Sequence, residues 1–266
     1  MNRKLVFIGV AACALVLAGT GCQKLRARDH LNKGVQAYRN AQYPAAVEHF
    51  KQAVELDPTF PTARLYLATA YMMQYIPGAE SPENVKMAQA AHEQFQKVLA
   101  QNPKDEVAIA SIASLYLNQA KWDDARQWYQ KLVEVNPSNK EAYYSLGFIA
   151  WKTWYVPYAT ARANLGMKPE DPGPIKDKKV REELKAKYWN IIEEGINNLH
   201  KALEIDKNYD DAMAYLNLLH RERADLMDDK AGYQKEIDIA DDWVQKALET
   251  KKLKSEGKAG AAAPAK

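Results

Sequence analysis

Apolar positions along this chain recur in steps of three and four, the spacing of one face of a helix, and the small ones among them carry a second, longer period. Gly34, Ala68, Ala113 and Gly147 each open the same downstream order. From Gly34 follow Tyr43, Ala46, Phe50, Ala53 and Pro58; from Ala113, at the same offsets, follow Trp122, Ala125, Tyr129, Leu132 and Pro137. A fixed period of this kind predicts a solenoid, in which each helix pair buries its apolar face against its neighbours. The expected fold class is all-α: a right-handed α-solenoid of about five helix pairs, with a long insertion in the fourth.

Segments 27–60 and 106–139 fit a 34-residue helix–turn–helix template without gaps. Small residues at the eighth and twentieth template positions let the paired helices approach closely. Pro58, Pro103 and Pro137 stop the second helices, since proline lacks an N–H and clashes with the preceding turn. On these residues the chain resembles the tetratricopeptide repeat (TPR). The resemblance extends to interrupted copies at 61–105, 140–209 and 210–250. The second copy gains 11 residues around YIPGAESPENV. The fourth gains 36, placed at 153–188, and has Lys207 where the proline belongs. The fifth gains 11 and has Asn217 at a close-packing position.

The insertion opens with WKTWYVPY, which holds Trp154, Tyr155 and Tyr158. Pro157 is expected to interrupt a helix there, and Pro169, Pro172 and Pro174 forbid a continuous helix beyond it. From Val180 an apolar face (Leu184, Tyr188, Ile192, Ile196, Leu199, Leu203) predicts a second helix of roughly 27 residues, about 40 Å long. The aromatic insertion serves either as a buttress for that helix or as a docking knob.

The first 21 residues read differently. MNRK supplies charge, Leu5–Leu17 is an uncharged apolar run, and Gly19-Thr20-Gly21 precedes Cys22. This is the layout of a secretory signal peptide, and the apolar run is short for a membrane span. Its end resembles a bacterial lipoprotein processing box. That resemblance implies an acylated Cys22, a tether at 22–26, and attachment to the cell envelope of a Gram-negative-type bacterium, at the outer membrane facing the periplasm. Cys22 would then be the sole cysteine of the mature chain, and no disulfide could form. With 47% hydrophobic residues the helical domain can hold by packing. A net charge of +3 and pI of about 8.6 are too mild for a nucleic-acid footprint. Residues 251–266, rich in Lys, Ala and Gly, are expected to form a disordered basic tail.

The TPR resemblance implies that the first helix of each pair lines a concave binding face. Its lining positions include Tyr38, Leu65, Met72, Leu117, Tyr144, Phe148 and Trp151, an apolar and aromatic set of the kind interface cores enrich. The TPR clamp for a peptide carboxylate uses Asn at position nine of the repeat. Here that position reads Val35, Thr69, Ser114, Phe148 and Leu218, so this chemistry is not implied. Tyr144, Phe148 and Trp151 either face a partner or pack on the insertion. The five histidines are scattered, and no zinc, nucleophile-elbow or phosphate-loop motif occurs. No enzyme activity, cofactor or metal is expected. The resulting expectation is a scaffold or adaptor lipoprotein that binds a protein or peptide. The alternative is a structural or self-oligomerising envelope protein whose groove is filled by its own insertion or by a neighbouring copy.

Overall fold

In a computed structural model, the backbone is described for residues 3–168 and 170–262 and the side chains for 21–168 and 170–256. Among the described residues there are ten helices and no strand: α1 Arg3–Arg39, α2 Tyr43–Leu56, α3 Pro61–Met72, α4 Pro82–Gln101, α5 Glu106–Asn118, α6 Trp122–Val135, α7 Lys140–Asn164, α8 Lys178–Ile205, α9 Asp210–Ala224 and α10 Lys230–Ala262. They form two compact units, 1–121 and 122–266, divided at the turn between α5 and α6, inside the third sequence repeat.

In unit one, Ala46, Phe50 and Ala53 of α2 are fully buried, and Phe50 stacks on Tyr66 at 5.4 Å. In unit two, α7, α8 and α9 bury Trp154, Ile192, Leu199 and Leu216 completely. The small residues earn their positions by close approach. A Cβ on Gly34 would lie 2.4 Å from Phe50, and one on Gly147 would lie 2.4 Å from Leu199 Cγ. Gly147→Ala is therefore expected to cost about 1–3 kcal/mol through overpacking, read as a lowered urea midpoint. An unchanged midpoint would show that α7 and α8 part without penalty.

The helix stops rest on a device other than proline alone. Oδ1 of Asp57, Asn102, Asn136 and Asp206 accepts a hydrogen bond from the backbone N–H two residues on, at 3.1, 3.3, 3.0 and 3.0 Å. These are Asx turns, which end a helix through the side chain. Asp206 keeps the turn although Lys207 replaces proline, and Lys140 Nζ donates to its other oxygen at 2.6 Å. Asn217 is accommodated because its Nδ2 donates to Ala240 O at 2.9 Å across the α9–α10 contact. In the second copy, buried Asn84 accepts from Ile76 N and donates to Ile76 O and Ala79 O, which pins the added loop.

Three sequence expectations are corrected. The break at Pro157 does not occur: α7 runs through it to Asn164 and α8 starts at Lys178, so within the insertion at 153–188 only 165–177 lies outside the helices. Proline inside a helix costs one hydrogen bond and about 3 kcal/mol, offset here by burial of Trp154 on one side and Arg162 on the other. The tail from 251 continues α10 rather than being disordered as far as Ala262. Lys252–Glu256 and Lys254–Asp210 ion pairs and the Thr250–Met213 contact support its described part. Residues 22–26 are a helical part of α1, not a separate tether. The proposed signal segment, 1–21, lies largely outside the residues whose side chains are described.

Candidate partner-binding site

The fourth and fifth repeats concentrate the unusual chemistry. Residues 165–177 dock on the C-terminal end of α9 through a buried ion pair. Arg162 of α7 donates to Asp225 and, through Nη2, to Lys168 O and Asp171 O at 2.7 Å each. Both side chains are more than nine-tenths buried. Tyr158 Oη donates to Asp225 at 3.0 Å, Ile175 N to Asp225 O at 3.0 Å, and Gly173 N to Tyr233 Oη at 3.1 Å. A Cβ on Gly173 would fall 1.6 Å from Asp225 Oδ1, so only glycine fits there. Burial pushes the Asp225 carboxyl up while Arg162 opposes it, and burial also raises the Tyr158 phenol.

Aromatic rings spread from this anchor over α7 and α9. Phe148 meets Trp122 at 6.3 Å, Trp151 at 6.3 Å and Tyr215 at 5.4 Å. Trp151 meets Tyr215 at 5.3 Å and Tyr155 at 5.0 Å, and Tyr144 meets Tyr215 at 5.7 Å and Tyr209 at 5.2 Å. Lys152 lies over the Phe148 and Trp151 rings. The sequence-derived trio Tyr144, Phe148 and Trp151 is thus brought together, each ring half-buried against its neighbours. The rings pack mainly on each other and on Trp122, Tyr209 and Tyr215, and Trp151 also meets Tyr155 of the insertion. Tyr38, Leu65, Met72 and Leu117 lie in unit one and are half-buried; Tyr38 packs edge-on against Tyr43 at 5.4 Å.

The insertion's three aromatics take different roles. Trp154 is fully buried between Tyr158 at 5.2 Å and Tyr188 at 5.5 Å, so it is core and cannot dock anything. Tyr158 is half-buried and tied to Asp225. Tyr155 is 42% exposed and its neighbour Val156 is 63% exposed. Beside them opens a cleft of about 260 Å³, walled by Tyr155, Tyr158, Met167, Leu218, Arg221 and Glu222. The insertion supplies Tyr155, Tyr158 and Met167 to the walls and leaves the cleft open.

Glu222 is the member that sequence reasoning missed. Its carboxyl is 6% exposed; Oε1 accepts from Trp151 Nε1 at 2.9 Å, while Oε2 is buried without a hydrogen-bond partner. Trp154 Nε1, also without a bonded partner, leans toward the same carboxyl. Burial pushes Glu222 up to about 8 from an ordinary 4.5. An unfolded chain would ionise this group near 4.5 and the folded one near 8, so the folded state holds the extra proton between those values. Stability contributed by Glu222 is therefore full below about 4.5 and lost as pH rises toward about 8. Relative to the parent, Glu222→Gln is expected to gain about 2–4 kcal/mol on going from pH 5 to pH 8.5. Urea midpoints at the two pH values measure this; parallel pH dependence in both proteins would contradict it.

Cys22 is exposed on α1. Among the described residues no group of three or more His, Cys, Asp or Glu side chains is placed to hold a metal ion, and no helix is long and apolar enough to cross a membrane.

Residues 86–147 match a family model described as tetratricopeptide repeat, and residues 34–74 match a second, described as TPR repeat. No curated protein matches the sequence. Among solved structures the chain is similar to MamA (TM-score 0.59, 15% identity, covering 87% of this chain and 94% of that one). It is also similar to residues 41 to the end of MamA from Desulfovibrio magneticus RS-1 (0.57, 17%, 86% and 96%). A third similar structure is YrrB, a TPR protein described as having an unusual peptide-binding site (0.51, 16%, 84% and 90%). The chain carries tetratricopeptide repeats, and its fold is that of a TPR α-solenoid.

Proposed function

We propose that this protein is a non-enzymatic adaptor that binds a protein or peptide partner on the aromatic face of its fourth and fifth repeats. The observation that carries this reading is the exposed Tyr155–Val156 edge beside an open cleft, continuous with a sheet of half-buried rings. Rigid aromatic side chains supply large contact area at low entropic cost and are enriched at interface cores. The peptide-binding site ascribed to YrrB supports the class of function. The insertion walls the cleft rather than filling it, which favours an external partner over a groove closed by the chain itself.

The anchoring part of the proposal is a lipoprotein attached through Cys22 to the periplasmic face of the outer membrane, serving assembly of an envelope complex. The exposed Cys22 after an apolar segment supports it. Several acyl chains on one cysteine anchor stably, at roughly 0.8 kcal/mol per buried CH₂. Fractionation of Cys22→Ser tests this: release from membranes is expected, and unchanged association would sink the anchor. For the partner, capture from envelope extract is compared between the parent and a Tyr155→Ala/Val156→Ser variant. Both residues are exposed, so the variant keeps its helical circular dichroism. Loss of a captured protein is expected; retention of every captured protein would overturn the reading.

A further inference from the structure

We propose that His30 and His49 form a zinc site that clamps the first helix pair. The five histidines are scattered in the sequence, yet these two, 19 positions apart, meet across α1 and α2. Their Nδ1 atoms stand 3.4 Å apart, with ring centroids at 5.6 Å and planes tilted by 37°. Both rings are half-buried, and neither makes another hydrogen bond among the described residues. Their convergence is imposed by packing. His30 lies one turn before Gly34 and His49 directly before Phe50, and the missing Cβ at Gly34 lets the Phe50 ring close on α1. The pair is therefore held by two packed helices and not by a loop.

The separation of the two nitrogens discriminates between ions. Zinc binds imidazole nitrogen at about 2.0–2.1 Å in tetrahedral geometry, which sets two nitrogens on one ion about 3.3–3.4 Å apart. A square-planar or octahedral ion with bonds of that length would bring neighbouring nitrogens to about 2.9 Å. The observed 3.4 Å is the tetrahedral edge. A hydrogen bond between the rings is the competing account of the contact. At this distance it is longer than the about 2.7–3.2 Å usual for an N–H donor, so an ion would displace a weak bond. Each imidazole would bind through Nδ1 and carry its proton on Nε2. No third His, Cys, Asp or Glu among the described residues joins the pair. Two waters therefore complete the tetrahedron, and those positions stay exchangeable.

The test uses the untagged full chain with Cys22→Ser, so that no thiol competes, labelled with ¹⁵N-histidine and titrated with zinc chloride. One zinc per chain is expected, with the Nδ1 resonances of two histidines shifting and those of the other three unmoved. His30→Gln and His49→Gln are each expected to weaken binding at least tenfold, and the double variant little further, because the two ligands serve one ion. His92→Gln is the control: that ring meets Tyr116 and no second histidine, so affinity stays unchanged. Cobalt(II) in place of zinc is expected to give the strong visible absorption of a four-coordinate ion. Zinc is also expected to raise the thermal midpoint of the parent and not that of the double variant. Absence of saturable binding, ligation through Nε2, the weak absorption of six-coordinate cobalt, or affinity retained by the double variant overturns the proposal. The nitrogen shifts of the parent decide the result independently of how the variants fold.

Discussion

Replacing Arg162 with Ala is expected to destabilise the protein by about 3–5 kcal/mol. The loss combines two causes. Asp225 would keep its burial while losing its cation, retaining only the Tyr158 hydroxyl. The carbonyls of Lys168 and Asp171 would lose the guanidinium that clamps the insertion. The damage therefore has a location: hydrogen exchange at the Ile175 amide, which donates to Asp225 O, accelerates more than exchange in α8. The double change Arg162→Met/Asp225→Leu recovers much of the stability, because a buried pair replaced by apolar groups is often nearly neutral. A cost below about 1 kcal/mol for Arg162→Ala, with Ile175 exchange unchanged, would mean that the ion pair does not hold the insertion.

Two adjacent residues are expected to behave oppositely. Trp154→Ala removes a fully buried indole from between Tyr158 and Tyr188 and costs about 3–5 kcal/mol. Tyr155→Ala, one position on, changes stability by no more than about 0.5 kcal/mol, because that ring is substantially exposed. Only the Tyr155 variant is expected to lose a binding partner while folding normally. Urea denaturation of the two variants separates the roles. Comparable destabilisation by both would place Tyr155 in the core and remove the exposed edge on which partner binding is argued.

The scaffold was legible in the sequence because its determinants are local and periodic. Gly34 opposite Phe50 and Gly147 opposite Leu199 are consequences of spacing, and spacing is visible in one chain. The aromatic trio at 144, 148 and 151 was legible for the same reason. The helix stops were read through proline, yet the device common to all four is the Asx turn, which Asp206 retains beside Lys207. Pro157 misled because a single residue's local preference was outweighed by burial on both sides of it. The cleft itself was not legible. Arg162 and Asp225 stand 63 positions apart, and Trp151 and Glu222 stand 71 apart. Neither pair carries a periodic signal, and a glutamate within a helix looks like any solvated carboxylate until a neighbouring helix buries it.

The most direct measurement is site-specific photo-crosslinking in intact cells, with p-benzoylphenylalanine placed at Tyr155 and, as a control, at exposed Lys97 in the other unit. A single crosslinked species containing a protein other than this chain, formed from position 155 and absent from position 97, is the expected result. No crosslink from 155, or crosslinks only to further copies of this chain, would contradict a partner-binding face on the fourth and fifth repeats.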